Sequence, residues 1–366
     1  MINKNKYRFI IAAGGTGGHL YPAIAVAQSI KELKPEAEFL FVGTSRKIEA
    51  RVVPQLGFNF KSIWISGLSR KITLKNILFP LKLVIGSIQA LMLNIKFKPS
   101  VAIGAGAYVS GPVLWSASLL GSKIMLLEQN SYPGVTNRML EKKANEIHIS
   151  FEDSKKYFRF SEKLLLSGNP IRLNLILKDK IESINTLNLD ANKKTLLVIG
   201  GSLGAGSINE AIGKNLQLFS DNNIQIIWQT GSAYYEKYKG SESKIVKVMP
   251  FIEDMSSAYS AADLVVARAG ATTIAEVSSL GLPVIFVPSP NVAANHQYKN
   301  AMSLVDMNAC SIIEDNRISQ SIGVEVLKLI DDEEKKNIYS KNIKKCARPE
   351  AANIIAKNAI KLAENS

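Results

Sequence analysis

Short apolar runs, many of them rich in β-branched residues, alternate along this chain with longer stretches in which apolar residues recur every three or four positions. The runs are RFIIAA, EFLFVG, SVAIGAG, KIMLLEQ and EIHIS, then TLLVIGG, IQIIWQTG, KIVKVMPF, LVVARAG and LPVIFVPS. Runs of this kind predict strands buried on both faces, and the helical stretches between them supply the crossovers that parallel strands need. Each half opens with the same device, a run that leads into a glycine turn and then a helix: FIIAAGGTGGH in the first half and LLVIGGSLGAGSIN in the second. The pattern predicts an α/β chain of two Rossmann-like domains with parallel sheets, residues 1–168 and 169–340, linked through NPIRLN. A charged helical segment, 341–366, follows.

One stretch does not fit a simple crossover. From Ser69 to Lys98, Leu74, Ile77, Leu78 and Leu81 recur at helical spacing beside Arg70, Lys71, Lys75 and Lys82. Pro80 is expected to break or kink the segment, leaving a longer helix from about Leu81 to Ile95 that is too short to span a bilayer. Two readings stay open: a core helix with a solvated basic face, or a surface patch that sets apolar side chains into a membrane while lysines meet anionic lipid.

Charge sharpens that choice. The 366 residues carry a formal net charge of +14, and residues 1–168 hold 23 Lys/Arg against 10 Asp/Glu while residues 169–366 hold 22 against 21. No acidic residue occurs between Glu49 and Glu128. A basic face can also meet nucleic acid, but no finger, helix-turn-helix or aromatic RNA-binding signature accompanies this one, so no nucleic-acid partner is expected. At 46% hydrophobic residues the chain has enough apolar side chains for two cores. Its first eleven residues are too briefly apolar for a signal core, and Cys310 and Cys346 lack metal-type spacing, so a reducing cytoplasmic setting is expected.

A glycine turn after a parallel strand brings backbone N–H groups close to a ligand, and the helix that follows presents its positive end to a phosphate or a sugar oxygen. Neither turn has the G-x-G-x-x-G spacing, EFLFVGT ends without a ribose-holding acid, and no Walker lysine is present. A dinucleotide oxidoreductase and a P-loop enzyme are thereby disfavoured. His19 falls where the first turn becomes a helix, placed either to take a proton from a hydroxyl or merely to cap the helix. His148, inside a strand run, reads as structural, and His296 lies in a polar loop beside Gln297. In ARAGATTIAEVSSLGLP a strand end, a glycine turn and a helix offer Thr272, Thr273 and Glu276, an acid suited either to ribose hydroxyls or to the helix dipole. Arg172 can pair with a diphosphate or serve structure alone.

GGTGGH, GAYVSGP, EQN, GNPIR, GGSLGA, RAGATTIAE and HQYKNA follow one another in an order that resembles the MurG family of bacterial glycosyltransferases, which add N-acetylglucosamine to lipid I to give lipid II. The resemblance runs from about Tyr7 to the end of the chain. It implies a GT-B fold, two Rossmann-like domains facing a cleft, and inverting, metal-independent transfer with UDP-N-acetylglucosamine as donor and no cofactor. His19 matches the histidine acting at the acceptor hydroxyl, and Glu128 is similar to an acid given a share of that role. Thr16, Gly17, Gly18, Asn130, Arg172 and Ser202 match donor-contact positions, with Arg172 and Ser202 near the diphosphate. Ile252 matches the backbone that meets uracil, Ala271, Thr272, Thr273, Ile274 and Ala275 the turn along nucleotide and sugar, Glu276 the ribose acid and Gln297 a sugar contact. The loop with Gly104, Gly106, Tyr108, Ser110 and Gly111 looks like the acceptor loop.

Two departures stand out: His296 replaces one glutamine of a pair, and Thr272 stands where an apolar residue can occur. The resemblance favours the membrane reading, with Lys71, Leu74, Lys75, Ile77, Leu78 and Lys82 as a patch for anionic lipid and a peripheral place on the cytoplasmic face of the inner membrane. Cell-wall and division proteins are open as further partners. The alternatives are a related GT-B enzyme acting on diacylglycerol and a non-catalytic scaffold that binds nucleotide and membrane.

Overall fold

In the computed structural model, residues 6–67, 78–172, 175–201 and 203–366 are described. The chain divides into two compact units, Met1–Arg172 with Arg348–Ser366, and Leu173–Ala347. The first holds a parallel sheet of β1 (Arg8–Ala12), β2 (Glu38–Gly43), β3 (Asn59–Ser62), β4 (Val101–Gly104), β5 (Lys123–Glu128), β6 (Glu146–Ile149) and β7 (Leu164–Leu166), in the order β3-β2-β1-β4-β5-β6-β7. The second repeats the scheme with β8 (Lys194–Ile199), β9 (Ile224–Gln229), β10 (Val246–Met249), β11 (Leu264–Ala267), β12 (Val284–Phe286) and β13 (Ser311–Ile312), in the order β10-β9-β8-β11-β12-β13. Both are doubly wound, and the strand order reverses beside β1 in one sheet and beside β8 in the other.

The strands predicted from apolar runs form; most are covered on both faces, while the edge strand β10 buries Val246 and Val248 and leaves Lys247 and Met249 half-buried. Along β1, Phe9 and Ile11 face one core and Ile10 and Ala12 the other. The runs did not announce β3, β7 or β13. β3 and β7 are edge strands with exposed or half-exposed side chains, and β13 has only two residues, so ladder hydrogen bonds rather than apolar patterning define them.

The C-terminal segment is not a unit of its own. Helix Glu333–Lys344 belongs to the second unit, while helix Ala351–Glu364 returns to the first. There Ile355, Ala356, Ala359, Ile360 and Ala363 are buried with Phe9, Ile11, Leu20 and Ile24, closing one face of the sheet. Side chains of the return pass so close to Gly168, at φ +87°, that a Cβ there would lie 2.3 Å from the Arg348 Cβ. The main stretch of the first unit runs to Arg172, four residues past the boundary expected after residue 168 and inside the NPIRLN link.

At Pro80 the segment breaks rather than kinks, because a helix starts there. Helix Phe79–Phe97 carries Pro80 in its first turn, where the missing N–H costs nothing. Its 19 residues reach the length of a short membrane span, longer than the sequence reading allowed. Gly86, Ala90 and Asn94 are its buried positions, and the Asn94 amide donates to the carbonyls of Ala90 and Val113 and to Ser116 Oγ, fastening one side of the helix to the domain. Leu81, Val84, Ile88, Met92 and Ile95 recur at helical spacing and are all exposed, by 50–58%. A core helix with a solvated basic face is therefore not what forms: the apolar stripe points outward. Leu78 is exposed, and Lys82 reaches Ser66 Oγ at 3.4 Å beside the exposed Trp64 ring. Lys71, Leu74, Lys75 and Ile77 lie outside the described residues.

Candidate active site

In the first unit the chemistry gathers where the strand order reverses, at the carboxyl ends of β1 and β4. Thr16, extended at φ −144° and ψ 162°, is the N-cap of helix Gly17–Leu33, so Gly17, Gly18 and His19 form its first turn with their N–H groups at its positive end. Thr16 Oγ1 lies 3.3 Å from His19 Nδ1. With the proton on Nδ1 the threonine oxygen accepts it, and Nε2 then carries the lone pair a base needs.

The β4 turn comes up against this histidine. Gly106 has φ +88°, and a Cβ there would lie 2.8 Å from His19 Cδ2 and 3.1 Å from Nε2, so only glycine lets the loop approach the imidazole. Ser110 holds the arrangement from behind, its Oγ donating to the Ala12 carbonyl at 3.1 Å and to the carbonyl of Gly106. Gly104 and Ser110 are buried, and Tyr108 and Gly111 half-buried, so the predicted acceptor loop and His19 do meet. Burial, then the charge of Glu49, pushes the Tyr108 hydroxyl up from its ordinary value, while a hydrogen bond with Thr44 opposes the shift.

Glu49 is the residue the sequence reading passed over. Fully buried, it accepts from the Gly15 N–H at 3.1 Å, the Thr44 N–H at 3.0 Å and Thr44 Oγ1 at 2.8 Å. A Cβ on either Gly14 or Gly43 would lie 2.4 Å from this side chain. The carboxylate thus shapes the first glycine turn from beneath and reaches Tyr108 through Thr44.

Glu128 is held through both carboxylate oxygens. Its Oε1 accepts from the Asn130 N–H at 3.0 Å, and its Oε2 from the Gly134 N–H at 2.9 Å and Asn137 Nδ2 at 2.8 Å. Burial pushes this carboxyl up and the donors pull it back. These contacts make it the anchor of the turn that carries Asn130. Arg172 closes the unit with its guanidinium 5.1 Å from the Tyr21 ring centroid, two residues beyond His19 in the same helix. His148, buried, pairs with Ser167 Oγ at 2.7 Å and Glu146 Oε2 at 3.1 Å, a structural role as expected.

In the second unit the reversal point lies between β8 and β11. Gly270 caps helix Ala271–Leu280; Ala271 and Ile274 pack inward, whereas Thr272, Thr273 and Ala275 are half-buried along the turn. Glu276 is 4% exposed, and Tyr259 Oη donates to its Oε2 at 2.9 Å. Tyr259, absent from the sequence reading, orients the acid. Beneath the turn Arg268 donates to the Val287 carbonyl at 3.0 Å, to Ser207 Oγ at 2.8 Å and to Asp315 Oδ1 at 2.5 Å, setting a fixed cation where the glycine turns converge.

The Ile252 N–H donates to Gln229 Oε1 at 2.9 Å, so its carbonyl is the backbone group suited to a base N–H. Gln297 Oε1 accepts from the Ser289 N–H at 2.8 Å, which turns its amide nitrogen toward donor chemistry; His296 precedes it at the start of helix His296–Val305. Ser202 lies outside the described residues. Among the described residues no group of three or more His, Cys, Asp or Glu could hold a metal ion.

Two doubly wound parallel sheets, each with glycine turns and polar side chains at its reversal point, define a glycosyltransferase of the GT-B class. The glycosyltransferase family 28 N-terminal domain matches residues 9–149 and the family 28 C-terminal domain residues 195–357. The chain belongs to glycosyltransferase family 28 and, within it, to the MurG-type N-acetylglucosamine transferases. It is 44% identical, over 98% of its length and 99% of the relative's, to the UDP-N-acetylglucosamine--N-acetylmuramyl-(pentapeptide) pyrophosphoryl-undecaprenol N-acetylglucosamine transferase of Flavobacterium psychrophilum. The protein of the same name from Bacteroides thetaiotaomicron is 41% identical, covering 99% of both chains. The fold is similar to that of Acinetobacter baumannii MurG, with a TM-score of 0.74 at 24% identity over 97% of this chain and 99% of that one. It is also similar to CalG4, the calicheamicin glycosyltransferase, with a TM-score of 0.70 over 98% of both chains at 13% identity.

Proposed function

We propose that this chain transfers N-acetylglucosamine from UDP-N-acetylglucosamine to the C4 hydroxyl of the N-acetylmuramyl sugar of lipid I, giving lipid II for peptidoglycan. The observation that carries this reading is the packing of His19 against Gly106 at the reversal point of a unit whose glycine loop suits a lipid diphosphate. Near-full-length identity to transferases bearing that name supports it.

Inverting transfer forms a bond from the acceptor oxygen to the anomeric carbon as the bond to UDP breaks, with the electron pair leaving on the diphosphate. His19 Nε2 takes the acceptor proton while Nδ1–H is held by Thr16. In the second unit Glu276 receives the ribose hydroxyls, the Ile252 carbonyl meets the base, and Gln297 and Thr272–Ala275 hold the sugar. Arg172 and the helix N-termini stabilise the departing charge, so the transfer step needs neither metal nor cofactor. The exposed stripe of helix Phe79–Phe97, in a unit rich in Lys and Arg, supports peripheral binding to anionic lipid at the cytoplasmic face of the inner membrane.

The deciding measurement is transfer of labelled N-acetylglucosamine to a soluble lipid I analogue, run beside diacylglycerol and a no-acceptor control. Product with lipid I alone, undiminished by exhaustive chelation, is expected. Product with diacylglycerol identifies the related enzyme, and chelation that stops turnover until Mg²⁺ is added refutes the metal-free step. His19→Ala should lower kcat by about 10²–10⁴-fold with donor affinity intact.

A further inference from the structure

Gln129, between Glu128 and Asn130, is the member of that tripeptide without a role so far. Its side chain is 3% exposed, and Nε2 donates to the Leu127 carbonyl at 3.4 Å, which fixes the amide with its oxygen on the opposite side. That oxygen, Oε1, is buried and has no hydrogen-bond partner among the described residues. It lies beside the place where His19 and the acceptor loop meet: the Cβ position built on Gly106 lies 3.6 Å from Gln129 Oε1 and 3.1 Å from His19 Nε2. A buried, unpaired carbonyl oxygen beside the loop that packs on a reactive histidine is an acceptor that a ligand's O–H or N–H can satisfy.

Resting on the transfer proposed above, we infer that Gln129 Oε1 accepts a hydrogen bond from a second hydroxyl of the acceptor sugar and so positions its C4 hydroxyl at His19. The attacking hydroxyl has one proton, and that proton goes to His19, so the donor to Gln129 must be another group. In a muramyl sugar the C3 oxygen is an ether without a proton, and the acetamido N–H lies at C2, across the ring from C4. The primary hydroxyl at C6 is the donor next to the reacting oxygen. Gln129 is therefore a positioning residue that selects an acceptor bearing a hydroxyl at that place.

The test is a cycle of enzyme and acceptor in the transfer assay: wild type and Gln129→Met, each with the lipid I analogue and with its 6-deoxy counterpart. Wild type should lose roughly tenfold or more in kcat/KM on the 6-deoxy acceptor, Gln129→Met should lose as much on the natural one, and the two losses together should not multiply. The KM for UDP-N-acetylglucosamine should stay unchanged throughout. Losses that multiply, an unaltered kcat/KM in Gln129→Met, or a shift in donor KM alone would overturn the assignment. Should Gln129→Met fail to fold, wild type on the 6-deoxy acceptor still decides, since full activity there removes the hydrogen bond. If wild type transfers nothing to the natural acceptor, the transfer reading itself falls; if it does transfer, any failure belongs to Gln129.

Discussion

Glu49 shows how a single side chain builds a site it does not enter. Its carboxylate accepts from Gly15, 34 positions earlier in the chain, and from Thr44, and the glycines at 14 and 43 are the residues that leave it room. Glu49→Ala strands three donors in a buried site and should cost about 3 kcal/mol, read as a lower denaturant midpoint at constant m. Transfer should fall with it, because the turn beside His19 loses its support. His19 and Glu276 were legible in the sequence because each stands in a short motif whose chain neighbours belong to the same turn. Glu49, Tyr259 and Gln129 were not, since their partners are brought in by the sheet rather than by spacing along the chain.

At the scale of the element, helix Phe79–Phe97 has a pattern that reads equally well as a core helix. What decides its orientation is which side packs: Gly86, Ala90 and Asn94 allow close approach to the domain, so the bulky stripe is left outside. The double variant Val84→Glu and Ile88→Glu should weaken binding to anionic vesicles by about tenfold or more, with thermal stability almost unchanged, because neither side chain is buried. Equal vesicle binding by the variant would rule out this stripe as the lipid contact.

A second element titrates. Asp254 caps helix Met255–Ala261 by accepting from the Ser257 N–H at 3.1 Å, and it pairs with Lys178 at 2.7 Å. The Lys178 and Ser257 hydrogen bonds hold its carboxyl down at about 2 from an ordinary 3.8. A carboxyl lowered by folding adds stability above its unfolded value, and that stability disappears as pH falls from 3.8 through about 2. Asp254→Asn should flatten the pH dependence of the melting temperature in that window; its half-exposed side chain keeps the effect small.

At the scale of the whole molecule, the chain crosses from the first unit to the second and comes back. The last helix supplies Ile355, Ala356, Ala359 and Ile360 to a core begun by Phe9 and Ile11, and Tyr7 Oη donates to Glu364 Oε1 at 2.8 Å. Ending the chain at Ala347 should therefore uncover an apolar face of the first unit, at about 1.5–3 kcal/mol for each large side chain exposed. Limited proteolysis of that truncation is expected to digest the first unit and spare the second, whose own core uses none of the removed residues.

The sequence by itself determined the two doubly wound units and their glycine turns. Buried parallel strands must be apolar along their length, and a turn that approaches a ligand must dispense with side chains, so both requirements are written locally. It also determined the family, through motifs in a fixed order. Only the tertiary structure decided which unit owns the last helix, which way the stripe on helix Phe79–Phe97 faces, and how Glu49, Tyr259 and Gln129 attend the two reversal points. Each of those depends on contacts between residues far apart in the chain, and a contact of that kind is set by sheet order and packing, which leave no period in the sequence.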